Sequence, residues 1–231
     1  MVLTMKICVI NPNSDVTMTE VIRANAVAYA DGAFEVDCLT NETAPPFIGT
    51  YEDMHECEAG MVAIVREKQD EYDAFIVACH GDPGLDLLKE VSYKPVVGIC
   101  EASVKLATML GHNFSVLSTS SRGAPNKVAL CRKYGVAESL ASIVAPSGFD
   151  PNWKGEEGLM TLGKKAVEED GCEVLVLGCA GMGHIAERMN KELGVPVLDG
   201  VTSALIVAQG LVKAGLSISK KRRYHERESN K

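Results

Sequence analysis

The sequence predicts an α/β fold: two similar Rossmann-like lobes with parallel sheets, related by a pseudo-two-fold. Three observations predict it. Short apolar segments rich in Val and Ile alternate with amphipathic stretches. The order of those segments recurs in the second half of the chain. Each half also carries a cysteine at the same place, in "DAFIVACHGDPGLDLL" (73–88) and "CEVLVLGCAGMGHIAE" (172–187).

The elements follow in order. "MKICVI" (5–10), "FEVDCL" (34–39), "AFIVAC" (74–79) and "PVVGIC" (95–100) read as strands. Amphipathic stretches at about 16–30, 53–70 and 83–90 read as the helices between them. "FSVLST" (114–119) then opens the second half as "ICVINP" opened the first. A helix is expected at about 123–135, an apolar segment "SLASIVA" at 139–145, then a Pro/Gly loop, a helix at about 155–169 and the strand "EVLVLGC" (173–179). "GVPVLDGVTSALIVA" (194–208) closes this half as "YKPVVGICEASVKLA" (93–107) closed the other. Two copies are too few for a solenoid, so the repeat reads as a duplication. The first lobe takes residues 1–98 plus about 205–231, and the second takes 99–204. A last helix at about 200–214 and a basic tail return to the first lobe.

With 231 residues the chain suits one large domain or two small ones. Its net charge of −8 argues against a nucleic-acid partner. No apolar run reaches transmembrane length, so no membrane role is expected. Residues 2–10 have no basic start and are stopped by Asn11-Pro12-Asn13, which makes an export signal improbable and a cytoplasmic location the expectation. Eight cysteines without an export signal read as free thiols rather than disulfides. Cys8, Cys38, Cys100 and Cys172 lie in or beside apolar segments and read as small core residues.

Cys79 and Cys179 are different. A cysteine closing a buried strand is ordinarily a packing residue. Here two of them match, and each is followed by a Gly-containing turn, with Gly81 and Gly181 letting the backbone approach a ligand. In open parallel sheets, ligands bind beyond the carboxyl ends of the strands. Asn11 to Ser14 and Ser118 to Ser121 end strands too, so all four segments are expected to line one cleft between the lobes. A thiolate on one face of a bound carbon acid removes a proton and a thiol on the other face returns one. That inverts a stereocentre without metal or organic cofactor, provided a neighbouring carbonyl acidifies the carbon and donors meet the oxyanion. Helices beginning just after each cysteine would favour the thiolate and supply those donors.

At these residues the sequence resembles the Asp/Glu racemase superfamily, specifically its hydantoin and allantoin racemase branch. The resemblance rests on "INPNS" (10–14), "ACHGDPGL" (78–85), "PVVGICEAS" (95–103) and "LGCAGM" (177–182), and spans almost the whole chain except the tail. It implies a cofactor-independent two-base racemase with Cys79 and Cys179 as the acid/base pair. Asn13, Ser14, Ser118 and Thr119 are implied to touch substrate. The backbone around His80, Gly81, Ala180 and Gly181 is implied to cradle carbonyl oxygens. The branch often has an aromatic residue after the first cysteine, where this chain has His80. A histidine there either meets the substrate or Cys79, or turns away to a backbone carbonyl. The implied substrate is a small molecule, a cyclic ureide such as a 5-substituted hydantoin or allantoin, or another amino-acid derivative. Family analogy adds a homo-oligomer.

Other features read more plainly. Asp82 in "GDPGL" is expected to cap the next helix, with Pro83 at its first position. Asp199 and Glu101 are expected to cap helices, and Arg122 to lie on the surface. A zinc site from Cys79, His80, Cys179 and His184 lacks a chelating spacing. Arg188 and Lys191 read as a solvated face, Met54 and Met61 as helix packing, and "KKRRYHERESNK" as a disordered or surface-bound tail. The alternatives are a decarboxylase, an amino-acid racemase or a cis–trans isomerase of the same superfamily, and a non-catalytic two-lobed metabolite-binding protein. Two retained thiols argue against the decarboxylase. Neutral Asn, Ser and Thr argue against a substrate held by carboxylate anchors.

Overall fold

The computed structural model describes residues 5–146 and 155–225. The chain passes from one compact unit to another between Gly98 and Ile99, and returns between Ala204 and Leu205.

The first unit holds β1 (Lys6–Asn11), α1 (Val16–Ala30), β2 (Glu35–Thr40), α2 (Tyr51–Glu56), α3 (Glu58–Lys68), β3 (Ala74–Val77), α4 (Leu85–Val91) and β4 (Val96–Gly98). Its strands are parallel in the order β2-β1-β3-β4. The inner strands are apolar because both faces are covered: Ile7 to Ile10 and Ala74 to Val77 are all buried. Full burial of such a side chain stabilises the fold by roughly 1.5–3 kcal/mol. Asp15 starts α1 by accepting the amides of Thr17 and Met18. Thr50 and Asp53 form a reciprocal capping box at the start of α2.

The second unit repeats the plan with α5 (Ile99–Leu110), β5 (Phe114–Leu117), α6 (Ala124–Lys133), β6 (Leu140–Val144), α7 (Glu156–Glu168), β7 (Val174–Leu177), α8 (Ala186–Leu193) and β8 (Val197–Asp199). The order β6-β5-β7-β8 is again parallel. Its central strand serves two cores. Val174 and Val176 pack with Phe114, Val116 and Cys131, while Leu175 and Leu177 pack with Leu159, Met182 and Met189. Helix α9 (Gly200–Lys213) carries the chain back into the first unit.

Several sequence expectations need correction. The helix expected at 53–70 is broken at Cys57, which ends α2 and begins α3. "PVVGIC" is a strand only through Gly98, because Ile99 already begins α5. Asp82 does not cap α4. That helix starts at Leu85 behind Gly84, whose φ of 62° is left-handed and which has no side chain to cap it. No long helix begins directly after either cysteine: α4 starts only at Leu85, and a 3-10 turn, Ala180–Ile185, separates Cys179 from α8. Glu101 sits inside the first turn of α5 and pairs with Lys105 at 2.9 Å. Asp199 does cap, accepting the Thr202 amide at 2.9 Å.

The tail is surface-bound as far as it is described. Ser217 Oγ donates to the Tyr93 carbonyl at 2.6 Å. The Lys220 ammonium donates to the carbonyls of Lys89 and Glu90 at 2.9 and 2.7 Å, meeting the last carbonyls of α4 with a positive charge. Tyr224 donates to Asp86 at 2.7 Å. The remainder of the tail and the Pro/Gly loop at 147–154 lie outside the described residues. Among the described residues, no helix is long and apolar enough to cross a membrane.

Candidate active site

In each unit, the site residues foreseen from sequence gather at the carboxyl ends of the two inner strands. In the first unit, β1 and β3 run in register from Ile7↔Ala74 to Ile10↔Val77, and the Ala78 amide donates to the Ile10 carbonyl at 2.9 Å. That ladder brings the Asn13-Ser14 loop beside Cys79, His80 and Gly81. The loop is held by Asn11, a buried residue with no signal of this role in the sequence. Its Nδ2 donates to Asn13 Oδ1, to the Asp15 carbonyl and to Thr19 Oγ1 at 2.8, 3.1 and 3.0 Å. Asn13 Oδ1 also accepts the Asp15 amide, and the Ser14 amide donates to the Pro45 carbonyl. Buried Asn41 ties the same loop to the α2–α3 break, donating to the carbonyls of Pro12 and Cys57 at 3.3 and 2.8 Å.

Cys79 stands two residues beyond β3 and is half-buried, while His80 is buried. The turn that follows depends on small and left-handed residues. A β-carbon at Gly81 would come within 2.8 Å of the Met54 methyl and 3.6 Å of the Cys79 sulfur. Met54, foreseen only as helix packing, thus covers the cysteine turn. The Asp82 amide donates to the Cys79 carbonyl at 2.9 Å. Asp82 itself has a φ of 45°, so its buried carboxyl turns away from α4 and stands against Gly98, where any side chain would overlap it. The dipeptide Asp-Pro signals a cap; only the backbone conformation reveals the other outcome.

In the second unit, β5 and β7 run in register to Leu117↔Leu177, and the Gly178 amide donates to the Leu117 carbonyl at 2.8 Å. Ser118 and Thr119 thereby stand beside Cys179, Ala180 and Gly181. By register, Ser118 holds the place of Asn11 rather than that of Asn13. Ser118 is buried and its hydroxyl donates to the Ser120 carbonyl at 3.0 Å. Cys179 is half-buried in extended backbone, and the Met182 amide donates to its carbonyl at 3.1 Å. Ala180 is buried and Gly181 half-buried; the Gly181 carbonyl lies 3.0 Å from His184 Nδ1. Arg122 is exposed, and Arg188 is tied to Glu156, Glu157 and Glu192. Sequence reasoning misses Lys127, a buried lysine on α6 whose Nζ donates to the Gly178 carbonyl at 3.2 Å.

None of the eight cysteines is in a disulfide, and only Cys79 and Cys179 are not fully buried. Burial pushes Cys38 up to about 12 and Cys131 up to about 11. Cys57 is pushed up to about 12, chiefly by burial and next by the neighbouring Cys79. Cys8 and Cys172 are raised by burial as well. These five therefore stay protonated and inert at neutral pH. Among the described residues, no group of three or more His, Cys, Asp or Glu side chains is placed to hold a metal ion.

A parallel α/β plan built twice, with an accessible thiol beyond the third strand of each copy, defines a class of two-unit α/β enzymes. Residues 7–208 match the Asp/Glu/Hydantoin racemase family, and the chain belongs to it; it is an isomerase of the racemase type. It is 40% identical to a hydantoin racemase from Pseudomonas sp. (strain NS671) over 227 residues, covering 95% of this chain and 91% of that one. Among solved structures it is similar to an allantoin racemase from Klebsiella pneumoniae, with a TM-score of 0.92, 31% identity and coverage of 98% and 95%. An allantoin racemase from Pseudomonas fluorescens gives a TM-score of 0.91, 33% identity and coverage of 98% and 99%.

Proposed function

We propose that the protein racemises a cyclic ureide, a 5-substituted hydantoin or allantoin, using Cys79 and Cys179 as a cofactor-independent acid/base pair. One observation carries the reading: among eight cysteines, the two that are not fully buried stand two residues beyond matching strands, β3 and β7. The names of the relatives support the substrate class. So do the neutral side chains of Asn13, Ser14, Ser118 and Thr119, which suit an uncharged ring better than carboxylate anchors would.

The chemistry is a proton relay across one carbon. A thiolate takes the hydrogen from the carbon beside the carbonyl, the C–H electron pair moves toward the carbonyl oxygen, and a planar enolate forms. Amides in the turns at His80–Gly81 and Ala180–Gly181 meet the developing oxyanion. The second thiol then protonates the opposite face. The two sulfurs finish with their protonation states exchanged. The same reading takes the enzyme to be a cytoplasmic homo-oligomer without metal.

The test is polarimetry on single enantiomers of substituted hydantoins, allantoin and free amino acids, with and without chelator. Decay of the ureide signal in both directions is expected, unchanged by chelator. Activity that chelator abolishes and zinc restores would sink the cofactor-free mechanism; activity confined to free amino acids would sink the substrate class.

A further inference from the structure

We infer that residues 217–224 form a strap that positions α4 and, through it, the Cys79 turn, with Lys220 and Tyr224 as positioning residues. Its bearing on catalysis rests on the two-cysteine reading above. Helix α4 runs for only seven residues, too few to be stable as a helix by itself. Leu85 and Leu88 bury its inner face. The tail runs back along the helix from its end to its start. Ser217 Oγ donates to the Tyr93 carbonyl just beyond the helix at 2.6 Å. The Lys220 ammonium reaches the carbonyls of Lys89 and Glu90 in the last turn at 2.9 and 2.7 Å, and lies 5.9 Å from the centre of the Tyr93 ring. Tyr224 donates to Asp86 in the first turn at 2.7 Å, and Arg223 pairs with the same carboxyl at 3.5 Å. Arg222 takes a φ of 71° on the way, a left-handed conformation that a residue with a side chain adopts at a cost. The strain marks a segment held by its contacts.

The second unit gives the contrast. Helix α8 likewise follows a cysteine turn, yet Glu187, Asn190, Lys191 and Glu192 are exposed on it. No residue of α4 is exposed. Helix α8 is fastened from another side, by Arg188 to Glu156 and Glu157 of α7 at 2.8 and 2.7 Å. Each helix after a cysteine is thus tied down from outside, one by the tail and the other by a neighbouring helix.

The tie reaches the cysteine through backbone. The Leu85 amide donates to the Asp82 carbonyl at 3.3 Å, and the Asp82 amide donates to the Cys79 carbonyl at 2.9 Å. Movement of α4 therefore pulls on the turn whose sulfur and amides meet the substrate in the proposed mechanism. A misplacement of about 1 Å at such a site can cost about 100-fold in rate.

The test compares the full-length wild type with Lys220→Met, Tyr224→Phe and the double variant, by hydrogen exchange and by iodoacetamide alkylation without denaturant. In the double variant, amides of residues 80–92 should exchange about tenfold faster, and Cys79 should be alkylated about three- to tenfold faster. Amides of residues 180–193 and alkylation of Cys179 should not change. Racemisation should fall about three- to tenfold in kcat with KM nearly constant. Lys220→Arg keeps donors for the two carbonyls and should restore wild-type behaviour. Tyr224→Phe removes one hydroxyl and should move the same signals in the same direction by less. It decides the matter where the double variant does not fold, which circular dichroism checks. A tail that only adds stability would lower the urea midpoint and leave native exchange and alkylation at the Cys79 turn as in the wild type; that result overturns the inference. Equal changes in both units overturn it too, as does an unchanged kcat in an enzyme that Cys79→Ser inactivates. Exchange and alkylation read the strap whether or not the protein racemises. Failure of the two-cysteine reading shows separately, as racemisation that survives Cys79→Ser.

Discussion

The two units build one turn from different materials. Ala78 leads into Cys79, and Gly178 leads into Cys179, although both amides make the same bond to the neighbouring strand. Strand β4 ends in Gly98 and β8 in Asp199, each in register with the last residue of its neighbour, Val77 or Leu177. The first unit has a carboxyl on the cysteine turn, Asp82, lying against the bare Gly98. The second has its carboxyl on the strand end, Asp199, and an apolar Met182 on the turn. A carboxyl has changed places between otherwise matching positions. The comparison teaches that duplication keeps the backbone frame, and with it the thiol, while the charges around each thiol are free to diverge.

The strongest way to break the comparison is to remove one thiol at a time. On the proposed two-cysteine mechanism, Cys79→Ser and Cys179→Ser should each lower racemisation by about 100- to 10,000-fold, since each would lose one acid/base partner. In deuterated water each variant should still exchange the α-hydrogen of one enantiomer, and the two should favour opposite enantiomers. NMR on separate enantiomers, corrected for spontaneous exchange, reads this; near-wild-type racemisation by either variant contradicts the pairing.

Alkali should separate the units next. Cys38 and Cys57 in the first unit are pushed up to about 12, and Cys131 in the second up to about 11, from an ordinary 9.0. The unfolded chain ionises these thiols first. Their contribution is therefore complete below pH 9 and is lost as pH rises toward 11–12. Stability should fall by about 1.4 kcal/mol per pH unit for each thiol across that window. Urea titrations at rising pH measure the slope. Pulse alkylation should label Cys131 of the second unit at lower pH than Cys38 and Cys57 of the first; a flat stability profile up to pH 11 counts against their burial.

A smaller contrast lies just before each cysteine. Gly178→Ala forces a methyl against the Leu117 carbonyl and should destabilise by roughly 1–3 kcal/mol. Ala78→Gly adds only backbone freedom and should lose roughly 0.5–1 kcal/mol. Equal losses in urea would erase the difference between Ala78 and Gly178. Smaller still, Asp199→Ala removes the cap on Thr202 and should lower stability by about 1 kcal/mol, which Asp199→Asn should largely recover.

Much of this was legible in the sequence. The strands Ile7 to Ile10 and Val174 to Leu177 are apolar on both faces because helices cover both, and that pattern needs no tertiary knowledge. The recurrence of Cys79 at Cys179 is a sequence fact too. Other features depend on contacts between distant segments. Lys127 looks like any lysine on a helix until its ammonium is seen on Gly178, 51 residues away. Asp82 carries a capping signal, but its left-handed φ sends the carboxyl back to Gly98. At the break, Asn41 donates to the Cys57 carbonyl and the Cys57 thiol to that of Met54, and the Asn41 bond joins segments 16 residues apart. Periodicity reports which face of an element is buried; it does not report where a long polar side chain ends.

The unlike surroundings of the two thiols meet a thermodynamic restraint. Enantiomers in water have equal free energies, so a racemase reaches an equal mixture whatever charges it carries. The ratio kcat/KM must then be the same for both enantiomers, even with Gly178 before one cysteine where the other has Ala78, and Met182 after it where the other has Asp82. The differences between the two turns can appear only as paired changes, with kcat and KM both higher in one direction and both lower in the other. An enzyme built from two unlike halves is thereby obliged to be even-handed at low substrate and is free to prefer a direction only when saturated.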